Sequence, residues 1–225
     1  KQQSLDHPYV VFDLETTGFS PIVDRIIEIG GVRVENGQIT KRFSSFVNPQ
    51  VPIPFKIENL TGINDGMVVD APLIETVLPE FLEFCEGAVM VAHNAGFDMS
   101  FIEQNSERQG IQKEFTVVDT VAMARFLLPG LNRFTLDTVA KAVGVPLNNH
   151  HRAVDDAACT ADIFVRFVKM LRDRGIEDLD ALNEQGSISE NTIKKMPTNH
   201  AIILAASEVG RVNLYRPSSE THLKD

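Results

Sequence analysis

The sequence predicts an α/β protein in which one mixed sheet, three antiparallel strands followed by parallel βαβ strands, is covered by helices. Three observations predict it. Apolar β-prone runs open the chain at residues 9–12, 26–34 and 39–47, and Asn36-Gly37 between the second and third is a hairpin signal. From Pro72 the period changes: Ile74, Val77, Leu78, Phe81, Leu82 and Cys85 recur at the spacing of an amphipathic helix. Strand and helix patterns then alternate, as parallel βαβ units require.

In order, the helix that starts near Pro72 should end at Gly87, followed by a strand over 88–92 and a helix over 97–108. A short strand over 115–118 leads to helices over 121–128 and 135–143. A long last helix, 152–174, carries Ala157, Ala161, Phe164, Val168 and Leu171 on one face. After Gly175 the texture becomes polar and turn-rich, with one apolar run over 201–206. An isolated strand cannot bury its own faces, so the residues after the main domain, 1–175, either dock on it or belong to something larger, and 176–225 reads as a linker and a weakly ordered fragment.

With 225 residues, 43% hydrophobic and 23% charged, the composition is that of an ordinary globular protein and excludes a disordered or fibrous chain. No apolar run approaches the roughly 18 residues of a membrane-spanning helix, and no secretory signal opens the chain, so the expectation is a soluble, cytoplasmic protein without a membrane partner. Cys85 and Cys159 have apolar neighbours and no metal-ligand spacing, which makes them reduced core residues. Twenty-one Lys and Arg stand against 31 Asp and Glu, a net charge of -10 that argues against a broad basic surface for nucleic acid. Carboxylates that hold metal ions would reconcile such a charge with a nucleic-acid enzyme.

The first strand runs into Asp13-Leu14-Glu15-Thr16-Thr17-Gly18, and strand alternation puts Asp13 and Glu15 on one face at its C-terminal end. Alone, such a pair is most often a solvated strand end. Asp98, in AHNAGFDMSF, falls in the first turn of a helix that follows a strand, and HHRAVDDAA places His151 before the last helix and Asp155 and Asp156 in its first turn. Each of these acids by itself is an ordinary helix-start residue favoured by the dipole. His93 and His150 read as structural. Together, carboxylates at strand and helix ends of one α/β sheet lie where such folds bind ligands, and with a His they supply oxygen ligands for two divalent ions plus a base.

DLETTG, HNAGFD and HRAVDD resemble the three motifs of the DEDDh 3'-to-5' exonucleases, in that family's order, over residues 9 to about 174. The resemblance implies a ribonuclease-H-like sheet order. Asp13, Glu15, Asp98 and Asp156 become the acids for two magnesium or manganese ions, His151 the general base, and Asp155 a neighbouring acid outside the ligand set. Asp119, in VVDT, becomes a structural support. The 3' terminus of a DNA strand, single-stranded or frayed, would sit against Thr16, Thr17, Gly18 and Asn94, with Phe19 and Phe97 available either to stack on a base or to fill the core.

The tail NHAIILAASEVGRVNLYR is similar to the segment that resumes the polymerase-and-histidinol-phosphatase domain of PolC-type replicative polymerases after an inserted exonuclease domain. FVNPQVPIPFKIENLTGINDGM and ARFLLP resemble the same branch. The implied activity is proofreading, with the rest of a replicative DNA polymerase as partner. A stand-alone proofreading subunit, a DinG-like nuclease module, an exoribonuclease, and a non-catalytic module that binds DNA ends or a polymerase stand as alternatives.

Overall fold

A continuous apolar run at the start of the chain, buried on both faces, builds β1 (Tyr9–Thr16), which pairs antiparallel with β2 (Ile26–Glu35) along its whole length, from Tyr9↔Val34 to Thr16↔Ile26. The computed structural model describes residues 6–147 and 152–178 and the backbone of 203–206. β1 is longer than its apolar run because the ladder to β2 carries it through Asp13 and Glu15. Asn36 and Gly37, both at positive φ, turn the chain into β3 (Gln38–Phe46), as the hairpin signal requires.

Two short helices, α1 (Phe55–Thr61) and α2 (Asp65–Val68), lie in the segment that the sequence reading left without structure. They are too short to show a helical period. Ile53, Ile57, Ile63 and Val68 anchor them in a small cluster with Ile27 of β2. The chain continues through α3 (Ile74–Phe84), β4 (Val89–Ala92), α4 (Ala95–Arg108), β5 (Phe115–Asp119), α5 (Thr120–Leu127), α6 (Leu136–Val143) and α7 (Ala153–Asp173). β4 joins β1 in parallel and β5 joins β4 in parallel. The observed order, β3-β2-β1-β4-β5 with β6 (Ile203–Ala206) beyond β5, contains the mixed sheet that the sequence predicts.

Odd-numbered residues of β1 face α7. Tyr9 and Val11 pack there with Val32, Val34 and Val91 against Ala161, Phe164 and Leu171. Even-numbered residues face the other way: Val10, Phe12 and Leu14 pack with Val77, Leu78 and Phe81 of α3 and Phe97 and Phe101 of α4. Cys85 and Cys159 are free and buried, and burial is the main cause that raises both thiol pKa values, that of Cys159 to about 11. No helix among the described residues is long and apolar enough to cross a membrane.

The end of the chain departs from expectation at two points. Ile176 is only 1% exposed and packs in the core beside α7. The run over 201–206, expected to lack a partner, contributes β6 (Ile203–Ala206), which pairs antiparallel with β5 from Phe115↔Ala206 to Val118↔Ile203. Without it β5 would present an unpaired edge, and pairing satisfies both strands at once. The expected weak order of 179–202 and 207–225 falls outside the described residues.

Candidate active site

Asp13 and Glu15 project from the α7 face of β1, beyond the apolar part of that face. Opposite Asp13 in the ladder is Gly30, where a Cβ would lie 2.1 Å from the backbone nitrogen of Val154 and 2.3 Å from the carbonyl carbon of Ala153. Only a glycine lets the first turn of α7 settle that closely on β2. The result is a group of three half-buried carboxylates, Asp13, Glu15 and Asp156, whose ligand oxygens all lie within 4.8 Å of one another. Asp156, rather than Asp155, belongs to this group. An all-oxygen donor set of this size suits a hard divalent cation.

Asp98 reaches the same strand from the other side. β1 runs past its pairing with β4, which ends at Val11↔Val91, and the wholly buried Asp98 accepts the N–H of Leu14 at 3.3 Å from the first turn of α4. Its backbone partner thus lies between Asp13 and Glu15. The start of α4 is held without a side-chain cap of its own: Asn94 takes a left-handed conformation at φ 68°. Its N–H donates to Asp119 Oδ1 at 2.9 Å. The same oxygen accepts from Val121 N–H at 2.9 Å and caps α5, so Asp119 ties together the starts of two helices.

His93 Nε2 lies 2.7 Å from the Phe134 carbonyl and Nδ1 2.8 Å from the Thr120 hydroxyl. A carbonyl only accepts, so the proton sits on Nε2, and His93 serves as a brace between β4 and the loop before α6. His150 and His151 lie outside the described residues; the chain re-enters at Arg152.

After β1 the loop is shaped by Asp24. Its Oδ2 accepts from Ser20 N–H at 2.9 Å, and a Cβ on Gly18 would lie 2.4 Å from that carboxylate. The close approach that Gly18 permits is therefore that of Asp24. Thr17 Oγ1 accepts from Arg25 N–H at 2.9 Å and Thr16 Oγ1 donates to the Gly18 carbonyl at 2.7 Å, and both threonines are buried. Of the two roles open to Phe97, its packing among Phe19 and Phe101 at 1% exposure assigns it to the core. Phe19 is half-buried beside it.

Sequence reasoning missed Glu28. It stands opposite Glu15 in the ladder, is fully buried, and accepts from Arg152 Nε at 2.6 Å through Oε2 and from Ala153 N–H at 2.8 Å through Oε1. Burial pushes its carboxyl above the usual range, while the Ala153 amide and Arg152 oppose that shift. The available signal was a lone acid inside the apolar run Ile26-Ile27-Glu28-Ile29-Gly30, followed two residues on by a glycine on the same face.

Residues 10–164 match the family model RNase_T, described as an exonuclease. Among curated proteins, the chain is 47% identical over 223 residues to the PolC-type DNA polymerase III of Caldanaerobacter subterraneus subsp. tengcongensis, across 99% of this chain and 16% of that protein. It is 48% identical over 223 residues to the PolC-type polymerase of Clostridium perfringens, across 99% of this chain and 15% of that one. The chain thus spans under a fifth of the length of either relative. Among solved structures, Exonuclease X in complex with 5' overhanging duplex DNA is 30% identical at a TM-score of 0.57, with 74% of this chain and 93% of that chain covered. The match over residues 10–164, on a fold that this exonuclease shares, makes the chain a nuclease of the exonuclease family.

Proposed function

We propose that the chain removes nucleotides from the 3' terminus of DNA, proofreading for a replicative polymerase of the PolC type. The observation that carries this reading is the gathering of Asp13, Glu15 and Asp156 oxygens within 4.8 Å, with Asp98 fixed on the backbone between the first two. Asp13, Glu15, Asp98 and Asp156 would hold two divalent ions, magnesium or manganese, because carboxylate oxygens suit those cations and because three acids gathered together, with a fourth on the backbone between two of them, need neutralising. Bound there, such ions supply positive charge against the attacking and leaving oxygens of the phosphodiester and lower the pKa of a water.

The remaining work belongs to side chains of the chain. His151, two residues before the Glu28-bound start of α7 at Ala153, takes the proton of the attacking water, since an imidazole with an unperturbed pKa of about 6.5 is a competent base at neutral pH. Thr16, Thr17, Gly18 and Asn94 bound the place of the terminal nucleotide, and the half-buried Phe19 offers it an apolar ring. The product is a nucleoside 5'-monophosphate. A net charge of -10 accords with an enzyme that grips a few terminal nucleotides presented to it rather than long duplex. The division into an exonuclease domain over 1–175 and a following segment over 176–225, which packs on that domain through Ile176 and β6, belongs to the same proposal and is supported by the family match over residues 10–164. The rest of a replicative polymerase as partner is supported by the similarity to PolC-type polymerases over nearly the whole chain.

The test is incubation of the purified chain with end-labelled single-stranded DNA, matched and mismatched primer-templates, and RNA, with magnesium, manganese and chelator. Shortening from the 3' end, faster on mismatched than matched termini and abolished by chelator, is the expected result. Shortening from the 5' end, or full activity in chelator, would overturn the reading; faster digestion of RNA would move the substrate to RNA.

A further inference from the structure

Helix α7 begins without a capping side chain of its own. Its N-cap is Arg152, which makes no side-chain cap bond, and the N–H of Ala153 would be an unsatisfied buried donor if nothing else reached it. The acceptor comes from another element, 125 residues earlier in the chain: Glu28 Oε1, at 2.8 Å. The other oxygen of Glu28 takes Arg152 Nε at 2.6 Å, and the Arg152 guanidinium lies over the Phe46 ring of β3 at 4.3 Å. One turn of helix is thereby fixed to β2 and β3 by a carboxylate, a guanidinium and a ring. That turn carries Asp156, and Gly30 on the next inward position of β2 leaves the room for it.

Two roles are open to a buried acid beside an acid cluster. Glu28 could be a further ligand, as its place opposite Glu15 allows. Both of its oxygens, however, are already engaged by donors of α7 and its cap, one of them charged. An ion pair with a buried partner is also a weak source of stability, because desolvation offsets the attraction, so its presence here calls for a positional explanation.

We propose that Glu28, through Arg152 and the Ala153 amide, is a positioning residue that sets where Asp156 stands relative to Asp13 and Glu15. The inference rests on the reading of those acids as a divalent-cation site. It concerns how the site is assembled and adds no ligand to it. A side chain that orients a ligand in this way typically governs metal affinity by about 10- to 100-fold.

The test uses the full chain and manganese alone as probe, with bound ion counted by electron paramagnetic resonance and exchange of the Ala153 amide followed in metal-free protein. Glu28→Gln keeps the size of the side chain and an acceptor for Ala153 but removes the ion pair. It should weaken manganese binding by about 10- to 100-fold and quicken Ala153 exchange. Arg152→Met should weaken binding by a similar factor, and the double substitution little further, because the two residues act as one unit. Leu78→Ala, in the core on the opposite face of the sheet, controls for lost stability and should leave manganese affinity unchanged while lowering the melting temperature. Manganese affinity of Glu28→Gln equal to that of the unmodified protein would overturn the positioning role. Complete loss of binding, equal to that of Asp13→Ala, would overturn it in favour of a direct ligand. An unmodified chain that takes up no manganese would instead overturn the cation-site reading itself.

Discussion

Three carboxylates whose oxygens lie within 4.8 Å of one another repel whenever no cation neutralises them. For unit charges at about 4 Å the cost runs from about 1 kcal/mol in water to about 4 kcal/mol near a protein surface. These groups are half-buried, so a value between those limits applies. Asp13→Asn removes one of the three charges and should raise the melting temperature of the metal-free protein by about 2–4 °C per kcal/mol relieved. It should also abolish the rise that, on the proposed cation site, magnesium should give the unmodified chain, since an ion stabilises only the state that binds it. Scanning fluorimetry with and without magnesium checks both. A substituted protein that melts lower, and still gains from magnesium, would contradict the repulsion argument. Strand alternation and helix starts place Asp13, Glu15, Asp98, Asp155 and Asp156 at element ends without tertiary information, and the resemblance of DLETTG, HNAGFD and HRAVDD to the exonuclease motifs is what singled out Asp156 over Asp155. Glu28 was not legible in the sequence, because its partners, Arg152 and Ala153, are remote in the chain.

At the scale of elements, the starts of α4 and α5 share one acceptor. Asp119 is wholly buried, and its Oδ1 holds both the Asn94 and the Val121 amides. Asp119→Ala should cost about 1–3 kcal/mol, the joint effect of a lost cap and an unsatisfied buried donor. It should lower nuclease activity as well, because Asn94 opens the helix that carries Asp98. A urea titration with unchanged slope and a lower midpoint is the expected outcome; an unchanged midpoint would mean that water or another group replaces the carboxylate. The sequence reading made Asp119 a support for the site through a resemblance, and its bonds show what it supports. The same reading left α1 and α2 out, since helices of seven and four residues are held by packing of Ile57 and Val68 rather than by any period of their own.

For the whole molecule, the test is at the sheet's edge. Removal of 179–225 takes away β6 and exposes the outer edge of β5 while leaving β1, α4 and α7 intact. Cleavage activity should therefore persist. The melting temperature should fall by about 2–4 °C for each kcal/mol of lost pairing, and light scattering should reveal self-association through the bare edge. Loss of activity would place part of the site in the removed segment. Truncation that also removes Ile176 should lower stability further, since that side chain fills the core beside α7.

By itself the sequence determined the mixed sheet and the sides of α3 and α7 that face it, because these follow from local periods, two residues for a strand and 3.6 for a helix; the expected set of four acids came from motifs of a few residues at element ends and their resemblance to a known family. Only the tertiary structure decided which acids meet. Asp156 comes to Asp13 and Glu15 because Gly30 admits the first turn of α7 and because Glu28 and Arg152 hold it there, and both β2 residues lie more than a hundred positions before α7. It also decided that Phe97 is core, that Asp24 is what approaches Gly18, and that β6 covers β5. Each of these is a contact between segments distant in the chain, where burial and pairing are settled by the whole fold and leave no periodic trace in the sequence.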